Sequence, residues 1–379
     1  MVSEKELEYE NASLRAHNGQ LLSELNDSDL LIHFFSELNR TNTAQEALDI
    51  TYKTLESRFG KNLRNIALLR PKKQRMRLPQ GETSTIDALV VQATAPNHTN
   101  LIGHRIPYGE GVTGRAARNR ERVTLRDVSS ATSKEYVQYE GGPTQGSEIA
   151  VPLLAQGEVI AVLEAQANTP FFFSSANEGL FSRFARGLGT KIEGIQIAER
   201  DDLCVESYKH QAFLRQQELE VMYAIKNGYN LCRTMIDLND FKSVNDKAGH
   251  SAGDYAIKLF STALLEAIRE TDILGRVGGD EFATLKPDTD FRETEQVMAR
   301  VIDYVQDRFL GDSDMRDILR HAGIPGTFSY GIGSIYHCAD ALGVKADELE
   351  VSPQIVASLS HKLSDEADKN LYVMKGKKK

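Results

Sequence analysis

The stretch Arg276-Val-Gly-Gly-Asp-Glu-Phe-Ala-Thr-Leu285 sets two strand-like runs on either side of the tetrapeptide Gly278-Gly-Asp-Glu281. Glycines in such a position are typical of a tight hairpin turn. Further upstream, Met235-Ile-Asp237 is a short apolar strand that ends in a carboxylate and leads into a polar helical turn. Because α/β architectures present their ligand-binding groups at strand ends, the two stretches predict acidic side chains grouped at one edge of a sheet.

These residue types favour magnesium-dependent nucleotide chemistry. Because Gly278 and Gly279 carry no side chain, their backbone amides can approach a phosphate closely. Asp237 and Asp280 offer the hard oxygen ligands that magnesium prefers. Two such ions would activate an attacking hydroxyl and neutralise a pyrophosphate leaving group. Each stretch alone also fits a plain hairpin or a solvated loop, so it is their joint presence in this order that favours the nucleotide site.

The two stretches together resemble the GGDEF family of diguanylate cyclases, which condense two GTP molecules into cyclic di-GMP. Further matches are Thr327-Phe-Ser-Tyr-Gly-Ile-Gly333 and Glu366-Ala-Asp-Lys-Asn-Leu-Tyr-Val-Met-Lys375. The resemblance spans residues 202–379 and implies an α+β domain, in which helices surround a central, mostly antiparallel sheet like that of nucleotidyl cyclases. It also implies two Mg²⁺ ions per active half-site, with Mn²⁺ as an alternative ion.

Carried over position by position, the resemblance gives each residue of the site a role. The implied catalytic residues are Asp237, Asp280, Glu281 and Lys242, and the implied metal ligands are Asp237, Asp280 and the Leu238 carbonyl. The implied substrate-binding residues are Asn245, Asp254, Gly278, Gly279, Phe241 and Lys375, with Lys379 as a further phosphate contact. Asp254 makes chemical sense as a guanine-binding residue, because a carboxylate accepts two hydrogen bonds from adjacent N–H groups of that base. Adenine lacks this paired donor edge, so selectivity for GTP over ATP is expected.

A second site is expected at Arg269-Glu-Thr-Asp272, which has the offset before Gly278 at which the family binds its product. On its own this spacing is typical of an ordinary ion pair on a helix surface. In the family the arginine fork binds guanine or phosphate and the aspartate holds the guanine edge. Arg300, on the following helix, matches a further arginine of that site. The resemblance thus implies inhibition by cyclic di-GMP and, because each domain holds one GTP, a two-fold homodimer.

The preceding part of the chain has the pattern of an α+β sensory domain. Thr43-Ala-Gln-Glu46 is a capping box that opens a helix. Glu148–Leu154 and Glu158–Ala165 predict a hairpin around Gln156-Gly157. A long helix with an apolar stripe is predicted from about Ser175 to beyond Ile197.

Several stretches in this part resemble a GAF domain. They are Ile106–Ala117, Val123–Val128, Ser147–Leu154 and Phe173-Ser-Ser175. The resemblance covers residues 28–197 and implies an antiparallel sheet with helices that binds a small ligand. No cysteine lies in this range, which excludes covalent attachment of a bilin. The identity of the ligand stays open, and a purely structural dimerisation role is the alternative.

Residues 1–27 are predicted to form a short parallel coiled coil that joins two copies of the chain. Leu7, Leu14 and Leu21 recur every seven residues, and Asn11 and Asn18 occupy the companion core position. A single amphipathic helix lying on its own domain is the alternative. The predicted organisation is therefore a coiled coil over 1–27, a GAF domain over 28–197, a connecting signalling helix over 198–218 and a GGDEF domain over 202–379.

Composition and charge restrict the protein class. A hydrophobic content of 41% and a charged content of 26% are those of soluble globular proteins. No apolar run approaches the ~20 residues needed to cross a bilayer, and Met1–Asn11 lacks the basic segment and apolar core of a secretory signal, so a cytoplasmic location is expected. A net charge of -9 argues against binding to nucleic acid. Cys204, Cys232 and Cys338 form no CxxC pair and predict neither a disulfide framework nor a zinc site.

The chain departs from the GGDEF pattern in a few places. Asp202–Gln211 keeps little of the family's opening Asp-x-Leu-Thr-Gly-Leu-x-Asn-Arg-Arg stretch, and Glu206 in place of its glycine predicts continuous helix there. Asn239 replaces a second aspartate, and the connection between Phe309 and Ser360 is longer than usual. Two alternatives therefore stay open. One is a non-catalytic receptor that binds cyclic di-GMP at the Arg269-Glu-Thr-Asp272 site and signals to a protein partner, and the other is a scaffold that binds GTP without turnover.

Overall fold

The computed structural model describes residues 26–77, 83–132, 135–137, 144–343 and 351–377. The chain divides into two compact units, of which the first comprises Met1–Pro71 and Asp87–Ile195. The second comprises Lys72–Ile86 and Gln196–Lys379. The predicted coiled coil over 1–27 lies outside the described residues except for its last two positions, and Lys379 lies outside them as well. Within the described ranges, no helix has both the length and the apolar character required to cross a membrane.

In the described residues, the first unit consists of helices packed on one six-stranded sheet. Its helices are α1 (residues 26–38), α2 (Ala44–Phe59), α3 (Gly111–Asn119) and α4 (Ser175–Ala198). Its strands are β1 (Leu63–Arg77), β2 (Thr83–Thr94), β3 (Arg105–Pro107), β4 (Val123–Leu125), β5 (Ser147–Ala155) and β6 (Glu158–Ala167). Residues 72–77 of β1 and 83–86 of β2 belong to the second unit. The strand order is β3-β2-β1-β6-β5-β4. The pairs β2–β3, β1–β6, β5–β6 and β4–β5 are antiparallel, as the sequence predicted.

Local sequence signals account for these elements. Thr43 caps α2 by accepting a hydrogen bond from the Glu46 N–H, while the Glu46 carboxylate accepts one from the Asn42 N–H. Gln156 and Gly157 both have positive φ, which is the backbone that a two-residue hairpin requires. The capping box and the hairpin between β5 and β6 are therefore confirmed.

The sheet of the first unit has a hydrophobic cluster on each face. Phe34 of α1, Leu48 of α2 and Phe184 of α4 belong to the cluster on one face. Val112 and Ala116 of α3 belong to the cluster on the other face. Because side chains alternate between faces along a strand, β1, β5 and β6 contribute to both clusters. Two helical layers thus cover one sheet.

The second unit is built around a five-stranded sheet in the described residues. Its strands are β7 (Tyr208–Lys209), β8 (Leu231–Leu238), β9 (Ile273–Arg276), β10 (Glu281–Pro287) and β11 (Phe328–Ser334). Its helices are α5 (His210–Asn227), α6 (Phe241–Ala248), α7 (His250–Ala267), α8 (Phe291–Gly311), α9 (Ser313–Ala322), α10 (Ile335–Asp340) and α11 (Pro353–Lys377). The strand order is β11-β8-β10-β9-β7. The sheet is antiparallel except for the parallel pair β7–β9, which confirms the predicted mostly antiparallel sheet.

The central strand β8 is buried along its whole length and directs its side chains alternately to two helical layers. Ile236 and Leu238 pack into a cluster with residues of α7 and α8. Leu231 and Met235 pack into a cluster with residues of α5 and α11. Asp237 alternates with Ile236 and Leu238, so its carboxylate emerges on the side of α11.

The expectation of continuous helix across Glu206 is wrong. α4 ends at Ala198, and the chain turns before it forms β7 and α5. The Asp201 carboxylate stabilises this turn by accepting hydrogen bonds from the N–H groups of Leu203 and Cys204, at 3.0 and 2.9 Å. Backbone groups that a helix would pair internally are thus satisfied by a side chain. The predicted connecting helix over 198–218 is a turn, a short strand and the first half of α5.

The long connection after Phe309 is partly regular structure. It contains α9, β11 and α10 before the start of α11. α9 is anchored to α6, since Lys247 Nζ donates to the Ala322 carbonyl at 2.6 Å. Residues 344–350 of this connection lie outside the described ranges.

Candidate active site

The edge of the second sheet at the end of β8 brings the predicted acidic residues together. β8 and β10 pair so that Asp237 lies directly opposite Glu281. Asp280 precedes Glu281 in the turn, and its carbonyl accepts a long hydrogen bond of 3.4 Å from the Leu238 N–H. Directly opposed residues of an antiparallel pair have Cβ atoms about 5 Å apart and point to the same face. Asp237 and Glu281 therefore form one acidic pair, with Asp280 beside it.

Negative charge is concentrated in this acidic group and partly buried. Burial raises the pKa of Asp237, the ion pair with Lys375 lowers it, and the nearby carboxylates of Asp280 and Asp240 raise it again. Burial likewise raises the pKa of Glu281, and so do Asp237 and Asp280. Lys375 Nζ, reaching in from α11, lies 2.7 Å from Asp237 Oδ2. The positive charge of one lysine thus faces the negative charges of three carboxylates. A bound divalent cation would supply further positive charge.

The donor set fits magnesium bound together with a nucleotide. In the described residues no three His, Cys, Asp or Glu side chains converge into a closed metal cage. Mg²⁺ usually takes one or two carboxylates and completes its shell with water and substrate phosphates. Asp237, Asp280 and the adjacent Leu238 carbonyl meet that requirement.

The glycine turn supports the acidic residues. The N–H groups of Val277 and Gly278 donate to the Glu281 carbonyl at 2.9 and 3.2 Å, which closes the hairpin. A Cβ on Gly278 would overlap the Glu281 carboxylate, so a larger residue at this position would displace that carboxylate. Gly279 is exposed and has open space around its Cα. The turn therefore leaves room for a phosphate close to the backbone.

Arg276 is a site residue that the sequence analysis missed. Its guanidinium donates to the Gly279 carbonyl at 2.8 Å and to Asp201 Oδ1 at 3.4 Å. It therefore ties the glycine turn to the turn that follows α4. Its position directly before Val277-Gly-Gly was the available signal, because an arginine there reaches the backbone of the turn. Of the two neighbouring aspartates, Asp201 makes this contact, whereas the Asp202 side chain, with which the altered opening stretch begins, is 91% exposed and pairs with Lys209.

The predicted base-binding residues lie on α6 and α7. Asn245 and Phe241 face Gly253, at which a Cβ would collide with Asn245 Oδ1. Asp254 follows Gly253, and both Asp254 and Lys242 are exposed. Asn245 and Asp254 are therefore close in space.

Asn239, which stands in place of a second aspartate, has a structural role. Its side chain donates to Thr327 Oγ1 at 2.9 Å and accepts a hydrogen bond from the Ser329 hydroxyl at 2.8 Å. These bonds fix the end of β8 to the start of β11. The replacement therefore leaves the acidic group at Asp237 in place.

The predicted product site has an internal cation that the sequence analysis also missed. Asp272 and Lys286 form an ion pair of 2.6 Å, and each side chain is 2% exposed. Arg269 lies beside Asp272, but its guanidinium donates to Glu293 at 3.0 Å. Arg300 is exposed on α8, seven residues after Glu293, and thus about 10 Å further along the helix. The structure brings Arg269 and Asp272 together, with the carboxylate turned inward to Lys286.

The sequence matches two families over separate parts of the chain. Residues 37–193 match the GAF domain, and residues 207–342 match the diguanylate cyclase GGDEF domain. Together the two matches cover more than three quarters of the chain. The chain belongs to the proteins that join a GAF domain to a GGDEF domain of the diguanylate cyclase family.

Individual relatives match parts of the chain. The chain is 39% identical over 90 residues (24% of this chain, 8% of the relative) to the probable diguanylate cyclase DgcE of Escherichia coli K12. It is 32% identical over 146 residues (38% of this chain, 30% of the relative) to the probable diguanylate cyclase DgcT of the same strain. It thus spans less than a third of either relative. The crystal structure of the GGDEF domain of DgcB from Caulobacter crescentus in complex with c-di-GMP is similar at 21% identity and a TM-score of 0.36, covering 47% of this chain and 90% of that one.

Proposed function

We propose that the protein is a diguanylate cyclase that condenses two GTP molecules into cyclic di-GMP and pyrophosphate. The observation that carries the proposal is the register of β8 and β10, which sets Asp237 opposite Glu281 and next to Asp280 at a bare glycine turn. A hairpin of this kind concentrates acidic groups where a triphosphate can reach backbone amides. The family match over residues 207–342 supports the same chemistry.

One group of site residues would contact the phosphates of GTP and another would contact its base. Asp237, Asp280 and the Leu238 carbonyl would hold two Mg²⁺ ions, which would supply charge neutralisation at the α-phosphate and at the pyrophosphate. Glu281 adds negative charge beside these ligands. Lys375 is paired with Asp237 in this structure. We expect its ammonium to turn to the triphosphate when GTP binds, because Asp237 is then neutralised by metal.

The base end of the nucleotide would lie against α6 and α7. Asn245 and Asp254 are close together there, and Phe241 lines the same corner. Asp254 would accept hydrogen bonds from two adjacent N–H groups of guanine. Lys242, exposed one residue after Phe241, would contact the phosphates. Binding energy at the base would thus orient the α-phosphate for attack.

The reaction requires two copies of the chain. Each GGDEF domain would hold one GTP, and the 3′-hydroxyl of each GTP would attack the α-phosphate of the other. This geometry needs a two-fold homodimer, to which the predicted coiled coil over 1–27 would contribute. In this proposal the GAF domain regulates the reaction by changing the relative placement of the two active halves.

We also propose that cyclic di-GMP binds at Arg269 and Asp272 and inhibits the enzyme only weakly. Asp272 is bound to buried Lys286, so we expect the arginines to supply most of the affinity for cyclic di-GMP. Arg269 must first leave Glu293, with which it pairs at 3.0 Å. The product should therefore inhibit weakly. A receptor built on this site alone is correspondingly disfavoured.

The decisive experiment is incubation of the purified full-length chain with GTP and Mg²⁺, followed by chromatographic and mass-spectrometric analysis of the products. Wild type should form cyclic di-GMP and pyrophosphate, and the Asp280→Asn variant should lose at least two orders of magnitude in rate. Asp317→Asn is the matched control, because Asp317 is exposed on α9 and pairs with Arg320. Recovery of unchanged GTP from a dimeric wild-type protein would contradict the proposal. Equal rates for the Asp280→Asn variant and wild type would contradict the site.

A further inference from the structure

The sheet of the GAF domain carries a cluster of buried polar side chains that the proposed cyclase chemistry does not use. Asn65 of β1, Gln166 of β6 and Glu148 of β5 lie in one row across three neighbouring strands. Glu164 lies two residues before Gln166 and opposite Ala67 and Ala150, on the same face in the next row. Asn65, Gln166, Glu148 and Glu164 are between 1% and 5% exposed. We call these four residues the acceptor cluster.

The acceptor cluster lies on the α3 side of the sheet. Ala67 and Ala150, in the same row as Glu164, belong to the hydrophobic cluster that includes Val112 and Ala116 of α3. Tyr136 is buried nearby, since Glu148 and Glu164 both raise the pKa of its hydroxyl. The acceptor cluster is therefore enclosed by protein rather than part of a solvated surface.

The hydrogen bonds of the acceptor cluster are incomplete. Gln166 Nε2 donates to Glu164 Oε1 at 2.6 Å. Asn65 Oδ1 is buried and has no donor in the described part of the chain. No hydrogen bond or ion pair joins the Glu148 carboxyl to another described residue. Since buried polar atoms are nearly always paired, these acceptors indicate a missing donor.

The acceptor cluster also lacks positive charge. The guanidinium that acts on Glu148 is that of Arg115, which donates instead to the carbonyls of Gly111 and Glu135, at 2.9 and 3.2 Å. Burial and the neighbouring Glu164 raise the pKa of Glu148 well above its ordinary value. Burial raises the pKa of Glu164 to about 7. Two enclosed carboxyl groups thus share one site without a salt bridge to any described residue.

We propose that the acceptor cluster of the GAF domain binds a small organic cation through its primary ammonium group. An ammonium offers three donors and a positive charge, which matches unpaired Asn65 Oδ1 and the two carboxylates of Glu148 and Glu164. The bound cation would hold both glutamates in their charged form. A phosphate would offer the two enclosed carboxyl groups no positive charge and would disfavour their ionisation further, so the site is unsuited to nucleotides. A bare Ca²⁺ ion is less well served, because it needs six to eight oxygen ligands.

The test uses the full-length chain and measures binding, which does not depend on cyclase activity. The probes are the twenty common amino acids, ethanolamine and putrescine, screened by thermal shift and titrated by calorimetry. Each probe that binds is compared with the same molecule lacking its amino group. Native mass spectrometry of the purified chain, before and after dialysis, detects an amine that has co-purified.

Two variants on the β5–β6 hairpin make the test specific. Glu148→Gln removes one carboxylate of the acceptor cluster and should weaken binding of the amine at least tenfold. Glu158→Gln makes the same chemical change at an exposed residue that pairs with Arg120 and should leave the affinity within twofold of wild type. Because Glu148 is buried and favours its neutral form without ligand, the glutamine variant should fold as stably as wild type.

The remaining outcomes overturn the proposal. The cluster is a purely structural acid pair if no amine binds to the dialysed wild-type chain. The same holds if Glu148→Gln binds an amine as tightly as wild type. Binding of Ca²⁺ or Mg²⁺ that is lost in Glu148→Gln, with no amine bound, would identify a metal site instead. Equal affinity for the deaminated analogues would show that the ammonium group is not what is recognised.

Discussion

Replacing Lys286 by methionine should destabilise the GGDEF domain, because the change leaves a carboxylate buried without its cation. Lys286 Nζ lies 2.6 Å from Asp272 Oδ2, and both side chains are 2% exposed. Removal of one partner from a buried ion pair costs about 3–5 kcal/mol. The Arg269 N–H also donates to Asp272 Oδ2, at 3.3 Å, and keeps part of the carboxylate satisfied. We therefore expect a loss near the lower limit, about 3 kcal/mol.

Thermal and urea unfolding of the full-length chain, followed by circular dichroism, measure this loss. For a domain of 150–250 residues, about 3 kcal/mol corresponds to a fall in Tm of roughly 6–12 °C. Lys258→Met is the matched control, because Lys258 is exposed on α7, and it should change the free energy of unfolding by less than about 0.5 kcal/mol. A double variant with Lys286→Met and Asp272→Leu should recover most of the loss, since an apolar pair of similar volume often replaces a buried ion pair without penalty. A Lys286→Met variant as stable as the control, or single-variant losses that simply add, would refute the reasoning.

Three further outcomes are expected. Asp254→Asn should reduce the preference for GTP over ATP in kcat/KM at least tenfold, and an unchanged ratio would remove Asp254 from the base site. Glu293→Gln frees Arg269 from a partly exposed ion pair worth about 0.2–1 kcal/mol, so calorimetry should show a gain of about 1.4- to fivefold in affinity for cyclic di-GMP. An unchanged affinity in both Glu293→Gln and Arg269→Ala would place product binding elsewhere. The pKa of Glu164 is raised to about 7 by burial, so its contribution to stability is complete below about pH 4.5 and is lost as the pH rises through 7. Without ligand, the GAF domain should thus have a lower free energy of unfolding at pH 8 than at pH 5, and Glu164→Gln should reduce that difference, the remainder coming from Glu148, whose pKa burial also raises.

Local sequence patterns were sufficient to predict much of the fold. The glycine hairpin before Glu281 and the carboxylate at the end of β8 were predicted from strand and turn chemistry alone, and they pair as expected. The same is true of the capping box at Thr43 and the hairpin at Gln156-Gly157. In each case the signal and the structure it specifies lie within a few residues of one another.

Contacts between distant segments were not predictable in this way. The partner of Asp272 is Lys286, and the partner of the glycine turn is Asp201 through Arg276. Side-chain alternation along β10 did give one signal of the buried ion pair. Lys286 lies on the same face as the buried Phe282, and a lysine at such a position requires an acidic partner. Which acid it meets depends on the strand order, which no local pattern encodes.

The altered opening stretch of the GGDEF domain bears on the choice between enzyme and receptor. Val205 and Glu206, which depart from the family pattern, are exposed. The residue of this region that contacts the glycine turn through Arg276 is Asp201. Its carboxylate accepts hydrogen bonds from the local turn and from Arg276. Arg276 in turn binds the Gly279 carbonyl. The contacts that support the glycine turn are thus present despite the sequence change, and the geometry of the acidic group is kept. The enzyme is therefore the better-supported alternative.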